Sequence, residues 1–116
     1  MSRYLMFNNA TGEVLNCDFL MFPGLYSNVC SKTSNYTITS KDAIIVCNNS
    51  TSMTITLTDA TGTGQVISVK NSNNVGSVTI NANVGGSTLD GELTQEVAPY
   101  ECLVCVDGSS NNWSII

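Results

Sequence analysis

From Asn35 onward, apolar and polar residues alternate with period two in short runs divided by turn-forming residues. Tyr36-Thr37-Ile38-Thr39 leads to Ala43-Ile44-Ile45-Val46-Cys47, and Asn48-Asn49-Ser50 separates that run from Met53-Thr54-Ile55-Thr56-Leu57-Thr58. In the last segment Met53, Ile55 and Leu57 share one face and three threonines the other, the pattern of a strand with one buried side. Further runs at 66–70, 78–81, 88–89, 93–97, 102–106 and 113–116 follow, punctuated by Gly62-Thr63-Gly64, Asn71-Ser72-Asn73-Asn74, Gly85-Gly86, Asp90-Gly91, Pro99 and the polar stretch 107–112. No window places apolar residues at i, i+3, i+4 and i+7, and Val, Ile and Thr dominate where a helix would favour Ala, Leu, Glu and Lys. The prediction is an all-β chain: a compact antiparallel β-sandwich or barrel-like domain over residues 35–116, its strands joined by short turns.

Residues 1–34 read differently, as an N-terminal arm or docking segment. They hold the apolar clusters Tyr4, Leu5, Phe7 and Phe19, Leu20, Phe22, then Leu25 and Tyr26, with a hairpin-like turn at 8–12 between them. Phe19-Leu20-Met21-Phe22 would be an aggregation liability if uncovered, so it either pads this chain's own core or docks on another subunit or a larger assembly. Two runs in the β-domain, Ile44-Ile45-Val46 and Leu103-Val104-Cys105-Val106, are apolar on both faces. A small sandwich has little need for strands dry on both sides, so burial between subunits is expected to supply the second dry face, in a closed homo-oligomer of cyclic symmetry. The residues assigned to core or intersubunit packing are Ile44, Val46, Ile55, Leu57, Ile67, Val69, Ile80, Leu103 and Trp113. Trp113, the sole tryptophan, could bury its ring against the sheet or the oligomer axis, or offer a sugar a stacking platform; its neighbours Ile115 and Ile116 favour burial.

Composition narrows the function. The 116 residues leave room for one domain, and only 11% of them are charged, against 14 Asn, 14 Ser and 13 Thr. The net charge of −5 lacks the cationic surface that neutralises phosphates or docks on anionic lipid, so neither nucleic acid nor membrane is an expected partner. There is no His, which removes the commonest general base and metal ligand. The first residues are too short an apolar run for a signal peptide, and no run approaches the ~20 residues of a membrane span, so a soluble chain that keeps its N-terminus is expected. The five cysteines form no regular framework and are read as reduced thiols. Cys102-Leu103-Val104-Cys105 spells C-x-x-C but lies in a predicted strand, where residues three apart point to opposite faces, so no metal or redox site is expected. The sequons at Asn9, Asn35, Asn48, Asn49 and Asn112 follow from composition alone.

Catalytic signatures are also missing. Asp42, Asp59, Asp90, Glu92, Glu96 and Asp107 are scattered at turns with no dyad spacing, and Gly62-Thr63-Gly64 lacks the further glycine and lysine of a phosphate loop. The chain is read as no enzyme, with no catalytic, cofactor or metal residues. One ordered set of elements is specific in combination: Tyr36-Thr37-Ile38-Thr39 with Asp42 and Ile44-Ile45-Val46, Thr54-Ile55-Thr56-Leu57 with Asp59-Ala60, Gly64 before Ile67-Ser68-Val69-Lys70-Asn71, Val78-Thr79-Ile80, Leu89-Asp90-Gly91, and Asp107-Gly108-Ser109 with Asn112-Trp113 before Ile115-Ile116. In these elements residues 36–116 resemble a β-domain that recurs in virion structural proteins of tailed bacteriophages, at the ends of tail-fibre and head-fibre chains and in small capsid-associated proteins. Thr58 stands where the family usually has Pro, and Ser87-Thr88-Leu89 where it has Glu-Thr-Ile; neither disturbs the strand pattern.

The resemblance implies a trimeric, non-enzymatic particle component. The expected role is a capsid decoration or cement protein that seats as a homotrimer on the virion surface and bridges the major capsid protein or another virion protein. The alternative is a tail-fibre or head-fibre adhesin module binding host glycans, for which the Asn- and Ser-rich loops 71–74 and 107–112 could bond sugar hydroxyls.

Overall fold

The structure, a computed structural model, describes residues 27–116 together with the backbone of two short strands, β1 (Met6–Asn8) and β2 (Glu13–Leu15), which pair antiparallel on either side of the expected 8–12 turn. Tyr4, Leu5, Phe19, Leu20, Phe22, Leu25 and Tyr26 lie outside the described residues, and Phe7 is described only as backbone of β1.

The all-β expectation holds, with no helix among the described residues. Ten further strands follow: β3 (Val29–Lys32), β4 (Tyr36–Thr37), β5 (Ile44–Cys47), β6 (Met53–Thr56), β7 (Val66–Asn71), β8 (Val78–Asn81), β9 (Thr88–Leu89), β10 (Thr94–Val97), β11 (Cys102–Ser109) and β12 (Asn112–Ile115). They form a six-stranded sheet ordered β3-β5-β7-β11-β12-β9 and a four-stranded sheet ordered β10-β8-β6-β4.

The antiparallel expectation is corrected. From β3 to β8 the chain alternates between the two sheets, so β3, β5 and β7 stack parallel in one and β4, β6 and β8 stack parallel in the other. This is a flattened parallel winding of three turns. Short connections signal antiparallel neighbours only when they join strands within one sheet; here each one crosses to the opposite sheet, and the crossover that parallel pairing needs is another strand. Antiparallel pairing appears where the winding ends, with β11 on β7, β10 on β8 and β12 on β11.

Parallel register puts like residues above one another. Cys30, Ile45, Val69 and Leu103 form one inward row across β3, β5, β7 and β11; Met53, Val78 and Val97 form another across β6, β8 and β10. Such cross-strand rows are the unit of sheet stabilisation. Between the sheets lie Ile45, Cys47, Ile55, Leu57, Ile67, Val69, Ile80, Leu89, Cys105 and Trp113, all without measurable exposure. Trp113 donates its Nε1–H to the Thr58 carbonyl at 2.9 Å, tying β12 to the chain just beyond β6 and leaving no ring face for a ligand. Asp90 and Gly91 form a two-residue turn, both at positive φ, with reciprocal backbone bonds between Leu89 and Glu92.

Because the side-chain period is two, Ile45 and Ile44 must differ in role. Ile45→Ala is expected to lose about 2–5 kcal/mol of unfolding free energy in urea and Ile44→Ala about 1 kcal/mol or less; equal losses would contradict the facing described here.

Candidate interaction surface

If β5, β7 and β11 send Ile45, Val69 and Cys105 inward, their alternate residues must line the outside of the six-stranded sheet. One outer row runs Val29, Ile44, Ser68 and Val104, with the Ile116 N–H bonded to the Val104 carbonyl beside it. A second runs Ser31, Val46, Lys70 and Cys102, and a third Val66, Val106 and Ser114. Ile44, Val46, Val104 and Val106 are half-buried, while Val29, Val66 and Ile116 are 57%, 45% and 68% exposed. Lys70 is the one charged residue in these rows, and its Nζ donates to the Tyr100 carbonyl at the β10–β11 turn. The face is therefore largely aliphatic, interspersed with Ser31, Ser68 and Ser114, and carries one charge among these rows.

The expected packing residues thus divide. Ile55, Leu57, Ile67, Val69, Ile80 and Trp113 are fully buried between the sheets, and Leu103 is partly buried against them. Ile44 and Val46 lie on the outer face instead, and Ile45 and Cys47 take the inner positions of β5.

A line of polar contacts runs along one corner of the winding, where the β4–β5 and β6–β7 connections stack. Asp42 accepts the Tyr36 hydroxyl at 2.7 Å, the Thr39 N–H at 2.7 Å and the Cys30 thiol at 3.5 Å, joining β3, β4 and the turn after them. Asp107, 1% exposed, accepts the N–H groups of Thr61, Gly62 and Thr63 and the Thr63 hydroxyl, clamping the β6–β7 connection onto β11. Gln65 joins the two by donating its side-chain N–H to the carbonyls of Thr39 and Asp42. Burial alone would raise the Asp107 carboxyl, but bonds from Gly62, Thr63 and Thr61 outweigh it and hold the pKa below the usual carboxylate value; Asp42 is lowered against its own burial by Thr39, Tyr36 and Cys30. The Tyr36 hydroxyl is pushed up in turn, chiefly by the bond it gives Asp42. At the first winding turn the Lys32 ammonium sits 3.9 Å from the centre of the Tyr36 ring, bridging the two sheets.

Sequence reasoning placed Asp42 and Asp107 among scattered turn acids. Asp107 reaches Thr61 to Thr63, far off in sequence, so no local spacing could have disclosed the clamp. The loop residues offered to a sugar are in part spent on the fold: Asn71 is fully buried and donates to the carbonyls of Gly76 and Val97, and the Asn112 side-chain oxygen accepts from Thr88 and Gly91. In the C-x-x-C segment Cys102 is exposed and Cys105 buried, on opposite faces, and burial, helped by the Asp90 charge, pushes the Cys105 thiol up to about 12.

In comparisons with known proteins, no family model, no curated protein and no solved structure matches the chain.

A carboxylate whose folded-state pKa is depressed stabilises the fold above its unfolded-state pKa of about 4, and that contribution drains away as pH falls through the folded value. Urea midpoints are therefore expected to stay level from neutrality downward and to fall below about pH 4. Asp107→Asn should lose about 1–3 kcal/mol at pH 7 and show a smaller acid-induced drop than the native chain. An unchanged acid response would show that the clamp is not the titrating element.

Proposed function

We propose that this chain is a non-enzymatic structural component of a tailed-phage virion, a homotrimer on the capsid surface that bridges shell subunits. The observation that carries the assembly reading is the outer face of the six-stranded sheet. Its exposed valines and Ile116 lie in rows with almost no charge, on a chain whose net charge is −5. Copies of an acidic protein repel wherever their carboxylates meet, and a largely aliphatic face whose rows hold no carboxylate is where they can approach without that penalty. Burying this face between copies removes apolar area from water and supplies the second dry side of β5 and β11. The virion placement rests on the resemblance of residues 36–116 to phage virion domains. In that setting the trimer acts mechanically: contacts spread across neighbouring shell subunits must break before the shell can open.

Light scattering is expected to give three times the chain mass of 12.3 kDa. Val104→Asp puts a charge at the centre of the face and should yield single chains with unchanged β-type circular dichroism, because Val104 points away from the core. A single-chain mass for the native protein would overturn the trimer. Particles lacking the protein should lose heat resistance, and equal resistance would remove the capsid role.

A further inference from the structure

The corner that carries Asp42, Gln65 and Asp107 also opens a cleft of about 560 Å³, within the size range of small-ligand sites. Ser40, Thr58, Asp59, Thr61, Thr63 and Gln65 line it, with the Asp107 carboxylate beneath. The hydroxyls of Ser40, Thr58 and Thr61 take no partner among the described residues, so they face the opening with donor and acceptor capacity to spare.

Asp59 is fixed in place although it is exposed. One oxygen accepts the hydroxyl of the fully buried Ser87 at 2.7 Å, and Ser87 Oγ accepts the Ala60 N–H at 2.9 Å. Gly85, at φ +61°, lies so close that a Cβ there would come within 2.6 Å of Asp59 Cγ. A turn aspartate would ordinarily swing freely; this one has a set orientation, and its second oxygen accepts no protein donor among the described residues.

We infer that this cleft binds a neutral saccharide. No lysine or arginine lines it, so a phosphate, sulfate or carboxylate ligand would meet only the charge of Asp59 and Asp107. A ligand rich in hydroxyls suits the lining: vicinal hydroxyls donate to Asp59, and ring hydroxyls exchange bonds with Ser40, Thr58 and Thr61. The site holds its ligand without cleaving it, because both Asp107 oxygens are saturated by Thr61, Gly62 and Thr63 and only Asp59 remains as an available carboxylate, where glycoside hydrolysis uses two. Among the described residues no aromatic ring lines the cleft, so the hydroxyls and the Asp59 carboxylate carry the binding.

The test is an amide-shift titration of the isotope-labelled full chain with hexasaccharides of glucose, galactose, N-acetylglucosamine and rhamnose, and with a hyaluronan hexasaccharide as the anionic control. At least one neutral probe should move the amides of residues 58–65, and the anionic one should not. Asp59→Asn can still accept the Ser87 hydroxyl and so keeps the fold, yet it should weaken binding by tenfold or more; Thr61→Val should weaken it several-fold. Overturning results would be no shift at 58–65 with any neutral probe, equal binding of hyaluronan, or unchanged affinity in both variants. The cleft is distinct from the outer sheet face, so amide shifts and assembly mass succeed or fail separately.

Discussion

A parallel winding places an unusual demand on its corners. Each connection must leave one sheet and enter the other within a few residues, so its backbone N–H groups lose the ladder partners that a strand would provide, and buried groups left unpaired are costly. Asp107 answers this with two carboxylate oxygens that collect three N–H groups and a hydroxyl from the β6–β7 connection, and Asp42 collects one N–H and a hydroxyl from Thr39 in the β4–β5 turn together with the Tyr36 hydroxyl and the Cys30 thiol. Gln65 spans the gap between them, so successive turns of the winding are held at a common height. Cross-strand rows such as Cys30, Ile45, Val69 and Leu103 depend on that alignment, because a slip of one residue would turn every side chain to the opposite face.

The same alignment shapes both surfaces to which a role is proposed. Stacking β3, β5 and β7 in parallel brings Val29 and Ile44 side by side and sets Val104 beyond Ser68, which gathers aliphatic residues on one outer face from strands that each contribute only one or two of them. The polar corner, by contrast, collects the hydroxyls and the carboxylate of consecutive connections into one cleft. One side of the molecule thus suits another protein surface and one corner suits a hydroxyl-rich ligand, and both follow from how the winding is stacked.

Much of the strand content was legible because alternation reports burial directly. Met53, Ile55 and Leu57 read as one buried face and are buried, and Asp90-Gly91 read as a tight turn and forms one. At β5 the reading was ambiguous for a physical reason: three consecutive apolar residues leave the period-two signal without a phase, and only the neighbouring strands decide that Ile45 goes in and Ile44 out. The winding itself was hidden because its connections differ in length, so no fixed period appears in the sequence. Neither the Asp107 clamp nor the Asp59–Ser87–Gly85 arrangement has a local signature, since each joins segments far apart in the chain.

By itself the sequence determined an all-β chain, the positions of most of its strands and turns, and a neutral polar surface poor in charge, because these depend on side-chain period and residue type over a few neighbours. Only the tertiary structure decided that β3 to β8 pair in parallel, which of two adjacent apolar residues faces the core, and which turn acids are buried as clamps while another stands at a cleft. Those outcomes depend on which strand lies beside which, and hydrogen-bond pairing between distant segments settles that beyond what any local pattern specifies.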